Sequence, residues 1–264
     1  MLSFAGIVFY IPCNFIHLFY NKCQKGLIVI IRLDKYLSNS KIGSRKDIRL
    51  LVKKGLVTVD GKMVSDPGER VDEEKSDIRI EGEPIANKKY VYIMMNKPSG
   101  YVSATFDKRL PVVTDLLDEY FLSFEPFPAG RLDIDTEGFV LLTNDGDLSH
   151  RILSPKRHIK KTYLAVTDIP ASESDIRAFE EGVTLDDGYK TLSSHLTLGE
   201  DNTSYLTLYE GKFHQVKRMF ESVGKKVVYL KRISMGNLML DEGLATGEYR
   251  EITEEELALL CEEI

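Results

Sequence analysis

Two hydrophobic periods succeed one another along this chain, and their order outlines its elements. From Arg32 the spacing is helical: Leu33, Tyr36 and Leu37 fall on one face, Gly43 breaks the run, and Ser44 with Asp47 three residues later reads as a capping box. The helix that follows turns Ile48, Leu51 and Val52 inward and ends at Gly55. The period then falls to two in VTVDGKMV, Val57 to Val64, around an Asp-Gly pair that is the strongest short-range sign of a hairpin. Farther on, strand-like runs from Tyr90 to Asn96, Phe139 to Asn144, Lys161 to Thr167, Leu196 to Gly199, Ser204 to Glu210 and Lys226 to Leu238 mix with helical ones. The helical runs lie from Val113 to Phe121, Leu148 to Leu153, Glu173 to Gly182 and Phe213 to Gly224. Strand and helix do not alternate regularly, so the pattern predicts an α+β chain with a mixed, largely antiparallel sheet flanked by helices rather than a doubly wound one.

The first twenty positions, MLSFAGIVFYIPCNFIHLFY, stand apart as a nearly unbroken apolar run long enough for a membrane span. The run has no basic leader and no small-residue cleavage site, and Pro12, Asn14 and His17 interrupt it. Residues 1–30 are therefore read as an N-terminal extension, expected from a start assigned too far upstream, and a membrane anchor is disfavoured. The 264 residues, 43% of them apolar, can build a sizeable core in one large or two modest domains. Cys13, Cys23 and Cys261 form neither a metal spacing nor a disulfide framework, and a reducing cytoplasm is the simplest location.

A net charge of −6 argues against a nucleic-acid partner only until its distribution is read. Between Arg32 and Lys62 nine Lys/Arg face three Asp, and Arg151 to Lys161 holds five basic residues and no acid. Asp241 to Ile264 carries nine acids and one Arg, which accounts for the negative sum. Arg45, Arg49 and Lys53 recur at i, i+4 and i+8 with few compensating acids, a stripe better suited to phosphate contact than to simple solvation.

The chemistry concentrates in AGRLDIDTEGFVLLTNDGD, Ala129 to Asp147, where Asp133 precedes a buried-looking strand. Asp133, Asp135 and Gly138 imitate the opening of a calcium loop, but position twelve is Asn144 and Phe139 to Thr143 reads as strand, so no metal is expected. A capping or Arg131-paired role for Asp133 is the plain alternative to a nucleophile. A buried carboxylate keeps its charge only beside a cation or hydrogen-bond donors. His150, His158 and His195 have no metal spacing. Neither a Walker loop nor a G-x-G-x-x-G after a strand is present, so no nucleotide or redox cofactor is expected.

GRLDIDTEGFVLLTNDGDL, then KKTY at Lys160 to Tyr163 and EGKFHQVKRMF at Glu210 to Phe220, resembles the pseudouridine synthases, within them the RsuA/RluB branch that modifies ribosomal RNA. The likeness also takes in YIMMNKPSGYVSAT and PVVTDLLDEY, and it runs from about Tyr90 to near Thr246. RLDKYLSNSKIGSRKDIRLLVKKGLVTVDGKMV resembles the S4-type RNA-binding domain found ahead of this branch. The resemblance implies a small α/β RNA-binding domain over residues 31–84, a linker at 85–89 and a catalytic domain over 90–264 that ends in an acidic tail. It implies Asp133 as nucleophile, Tyr163 as the residue stacking on uracil, and Lys217 as the basic partner at a position where many relatives carry Arg. Arg131, Val216 and Arg218 are implied as substrate contacts, with His214 structural or RNA-contacting. RNA phosphates would meet Arg32, Arg45, Lys46, Arg49, Lys53 and Lys54. The expected substrate is small-subunit 16S ribosomal RNA or its assembly intermediate, without a cofactor. Large-subunit 23S RNA is the runner-up, a non-catalytic RNA-binding assembly factor is the alternative of a different class, and a monomer is the default.

Overall fold

The computed structural model describes residues 29–85, 88–154, 157 and 159–261. The apolar run at positions 1–20 lies outside them, as do Cys23 and His158. The chain divides into two compact units, Met1–Lys89 and Tyr90–Ile264. Among the described residues no helix is long and apolar enough to cross a membrane.

In the first unit β1 (Ile30–Arg32) runs straight into α1 (Leu33–Asn39). α2 (Arg45–Lys53) starts at Ser44, whose hydroxyl accepts from the Asp47 N–H while the Asp47 carboxylate accepts from the Ser44 N–H. β2 (Val57–Val59) and β3 (Lys62–Met63) form the expected hairpin. Asp60 and Gly61 both take positive φ, 50° and 76°, as a two-residue primed turn requires. β4 (Arg70–Asp72) returns antiparallel to β1, and β5 (Ile78–Ile80) with β6 (Glu83–Pro84) completes a second sheet in the order β3-β2-β5-β6. Leu33, Tyr36, Leu37, Ile48 and Val52 from the helices close over Val57, Val59, Val71 and Ile78 from the strands.

The second unit begins with β7 (Tyr92–Lys97). A single helix is expected from Val113 to Phe121, but the chain makes a 3-10 turn at Val113–Leu116 and a separate α3 (Glu119–Leu122). Asp118 divides them, its side chain accepting from the Phe121 N–H as an N-cap. Then come β8 (Phe127–Pro128), β9 (Glu137–Thr143), α4 (Gly146–Leu153), β10 (Lys161–Thr167) and α5 (Glu173–Glu181). β11 (His195–Leu198), β12 (Thr203–Leu208), α6 (Gln215–Ser222), β13 (Val227–Met235), β14 (Leu238–Met239), β15 (Tyr249–Glu251) and α7 (Glu254–Cys261) follow. The main path of the sheet is β11-β12-β10-β13-β9-β7-β15, and every pairing is antiparallel except β13 with β9. That parallel seam consists of two residue pairs, Lys231 with Glu137 and Arg232 with Gly138.

Gly138 is fixed by this crossing. Its φ is 99°, and a β-carbon there would lie 2.2 Å from the Arg232 carbonyl oxygen, so no other residue fits without moving a strand. One core packs Phe179 of α5 and Phe220 of α6 edge to face, centroids 5.2 Å apart, beside Tyr163, Leu206 and Leu230 of the sheet. The other gathers Leu148 and Ile152 of α4 and Leu260 of α7 with Met94, Phe139 and Leu141. The acidic C-terminal stretch is thus not a free tail up to residue 261. β15 pairs with β7, Ile252 and Leu260 are buried, and Arg250 bonds both Asp241 and Glu256.

Candidate active site

The Asp133 loop owes its shape to its own polar groups and to one buried lysine. Gly130, at φ 96°, turns the chain out of β8, and buried Leu132 is pinned from both sides by Ser103, whose hydroxyl accepts from the Leu132 N–H and donates to its carbonyl. Asp133 then accepts at its carbonyl from the Thr136 N–H, 3.1 Å away, closing a tight turn. Beneath it lies Lys97, the last residue of β7 and 0% exposed. Its ammonium donates to the carbonyls of Pro98, Asp133, Ile134 and Thr136 at 3.0, 3.1, 3.2 and 2.8 Å. Burial pulls this lysine down to about 8, against the opposing attraction of Asp135, Asp133 and Glu137.

The loop directs its carboxylates toward the start of α6. Lys217 Nζ lies 3.5 Å from Asp133 Oδ2 and 2.6 Å from Asp135 Oδ1, so the ammonium bridges two carboxylates and its closer partner is Asp135. Partial burial works against the Asp135 charge, but the Lys217 hydrogen bond and charge, with His214 adding to them, hold the carboxyl below its ordinary range. His214 Nε2 stands 3.6 Å from Asp133 Oδ1. The Asp133 side chain keeps 24% of its surface open, enough for a reacting atom to reach it.

His214 occupies the left-handed region, φ 49° and ψ 32°, which costs a non-glycine residue on the order of 1–2 kcal/mol. A polar network maintains it. Buried Gln215 accepts from the Lys212 N–H and donates to Glu210, which in turn accepts from the Tyr189 hydroxyl and the Leu192 N–H.

The other expected residues divide between this centre and its surroundings. Tyr163, on β10 opposite Arg232, and Val216, on α6, are buried in the same apolar cluster as Leu132. Arg131 is exposed on the loop. Arg218 does not face Asp133: Asp186 and Asp187 hold its guanidinium, which also donates to the Phe213 carbonyl at 3.4 Å. In the first unit Arg45, Lys46, Arg49, Lys53 and Lys54 are exposed, whereas Arg32 is tied to Asp34 by two hydrogen bonds of 3.0 and 2.9 Å.

Four contributors escape the sequence pattern. Lys97 lies inside the NKPSG motif, where a lysine ending an apolar strand just before Pro-Ser-Gly is the available signal. Asp135 reads in the sequence only as an imitation metal ligand. Glu210 and Gln215 carry no local mark, since their partnership forms across a loop. Among the described residues no group of three or more His, Cys, Asp or Glu is placed to hold a metal ion.

A partly open carboxylate, flanked by an ammonium and an imidazole on a loop braced from below, is equipped for nucleophilic attack. Comparison with known proteins gives the family. Residues 91–222 match the RNA pseudouridylate synthase family and residues 31–77 match the S4 domain. An RNA pseudouridine synthase of Bacillus subtilis, YtzG, described as uncharacterized, is 52% identical over 88% of this chain and 99% of its own length. Ribosomal small subunit pseudouridine synthase A of Escherichia coli is 41% identical over 86% of this chain and 99% of its own. A crystal structure of a pseudouridylate synthase superposes with a TM-score of 0.62 at 38% identity, covering 87% of this chain and 99% of that one. Family match, relatives and superposed structure all span the loop that carries Asp133, and the chain belongs to the RNA pseudouridylate synthase family, with an S4 domain ahead of the synthase region.

Proposed function

We propose that this enzyme isomerises a uridine of small-subunit ribosomal RNA, with Asp133 as nucleophile. The observation that carries the reading is the placement of Asp133 on the Lys97-braced loop, with Lys217 at 3.5 Å and His214 at 3.6 Å. The reaction breaks the bond between N1 of uracil and C1′ of ribose and joins C5 to C1′. C5 loses its proton, N1 gains one, and no electrons are gained or lost overall. A carboxylate attacking either C1′ or the ring can hold one fragment while the base turns. The uridine must first leave its stack, a cost of a few kcal/mol that favours unpaired sites. In this reading Tyr163 stacks on the uracil, Val216 walls the pocket, Lys217 keeps the carboxylate charged, and Arg131 lies at the RNA backbone. Arg45, Lys46, Arg49, Lys53 and Lys54 receive phosphates through the S4 domain, with a smaller part for Arg32. The small-subunit target rests on relatives such as the Escherichia coli enzyme, whose name specifies that subunit. A cytoplasmic location follows from that substrate.

The test is release of tritium from uracil C5 in small-subunit ribosomal RNA, comparing wild type with Asp133→Asn. Release by the wild type alone, with RNA affinity matched within about twofold, is the expected result. Release only from large-subunit RNA would move the target, and release by Asp133→Asn would remove the nucleophile assignment. RNA binding with no release from free RNA or assembling subunits would leave a binding factor.

A further inference from the structure

Phe213 is 75% exposed, in a motif whose neighbouring side chains are engaged. Single exposed apolar residues are ordinary on protein surfaces and carry no meaning alone. This one is held in a definite pose. Its ring lies flat on the His214 imidazole, centroids 3.7 Å apart and planes within 20°. That imidazole reaches 3.6 Å from the Asp133 carboxylate with its Nε2. Behind the pair, His214 keeps its left-handed backbone, Gln215 and Glu210 close the preceding turn, and Arg218, clamped by two aspartates, donates to the Phe213 carbonyl. The arrangement is an aromatic step built outward from the carboxylate, with one face of the phenyl ring covered by His214 and its outer surface largely open.

We propose that Phe213 is a base-stacking residue that receives an unpaired nucleobase flanking the target uridine on the outer face of its ring. The inference rests on the reading of Asp133 as the reacting carboxylate. Aromatic rings receive bases of any identity because every base presents a π-face, and a ring already fixed loses little freedom on binding. A nucleobase there would sit one stacking distance beyond Phe213, two beyond His214, and so within a nucleotide or two of a uridine held at Asp133. RNA whose target loop has been opened leaves such a neighbour without its own stack. Phe213 thereby offsets part of the cost of opening the loop, and Arg218 becomes a positioning residue for the platform.

The chain contains no tryptophan, so Phe213→Trp introduces a single fluorophore at the proposed contact. In the Asp133→Asn background, which needs no turnover, its emission is expected to be quenched when small-subunit ribosomal RNA binds. An abasic nucleotide beside the target should relieve the quench. In the active enzyme Phe213→Ala should raise KM by roughly five- to a hundredfold, the range seen when a base-stacking aromatic is removed, while kcat at saturating RNA stays within about threefold. Phe213→Tyr should restore KM. Unchanged emission with RNA bound, no RNA bound at all, or an unaltered KM in Phe213→Ala overturns the proposal. Because the emission experiment runs without catalysis, absence of tritium release from wild type counts against the proposed reaction, while the quench still tests the role of Phe213.

Discussion

At the scale of single residues, Lys97 does the most for the site without entering it. Replacing it with the similarly long, uncharged Met removes the donor shared by four carbonyls, of which Asp133 and Ile134 keep the N–H groups of Thr136 and Gly100, and a buried acceptor left unsatisfied costs about 1–3 kcal/mol. Lys97→Met is expected to lower stability by an amount in that range and, with Asp133 as the proposed nucleophile, turnover by roughly tenfold, since a displaced reacting group loses alignment. RNA affinity should hold, and denaturant melts, tritium release and filter binding check the three in turn. The pH behaviour is distinctive. A lysine near 8 in the folded chain and about 10.4 unfolded binds fewer protons when folded across that interval, so its contribution to stability rises with pH between those values and is flat below them. The native ammonium is meanwhile lost as pH climbs through about 8, loosening the loop, so turnover should fall as this part of the stability improves. Opposite slopes in wild type, both reduced in Lys97→Met, are the expected signature. Parallel slopes would remove Lys97 from the account.

At the scale of elements, the C-terminal segment behaves as part of the sheet. β15 hydrogen-bonds to the free edge of β7, the strand that ends in Lys97, and Arg250 fastens it through Asp241 and through a bidentate contact to Glu256 at 2.8 and 2.7 Å. Arg250→Ala is expected to destabilise the enzyme by about 1–2 kcal/mol and to sensitise β7 amides to hydrogen exchange, while sparing those of the first unit. This segment also marks where the sequence pattern stops being informative. Its nine acids hide Ile252, Leu257 and Leu260, whose burial becomes visible only once a sheet is there to receive them. Strands of two or three residues, such as β1, β4 and β6, are too short to display a period, and the break at Asp118 needs a cap that competes with an otherwise helical pattern. Where a local signal is complete it is legible: the Ser44–Asp47 box, the Asp60-Gly61 hairpin and the alternation of β10 all appear in the fold. The same division runs through the site. Asp133 and Lys217 are marked by motif, whereas the grip of Lys97 on the loop, the approach of His214 and the turn of Arg218 toward Asp186 depend on distant segments meeting.

At the scale of the whole molecule, an acidic protein has to hold a polyanion. It does so by concentrating charge: Arg45, Arg49 and Lys53 project from α2, exposed on a helix that buries Ile48 and Val52. Each phosphate neutralised contributes about 0.7–0.9 to the slope of log affinity against log salt. Replacing all three with Ala should therefore reduce that slope by about two to three between 50 and 200 mM salt, as filter binding would show. An unchanged slope would place the RNA elsewhere. The polyanion also bears on the row Lys97, Gly138, Arg232, which crosses adjacent strands with its two cations 0% and 1% exposed. Lys217, still partly open, is a counter-ion that an arriving phosphate can divert. The two interior charges are out of reach of any solute. They act as a ballast of positive potential, Lys97 under the Asp133 loop and Arg232 beside Gly138, so on the proposed reading of Asp133 the field that keeps it charged persists when the substrate brings in its own opposing field.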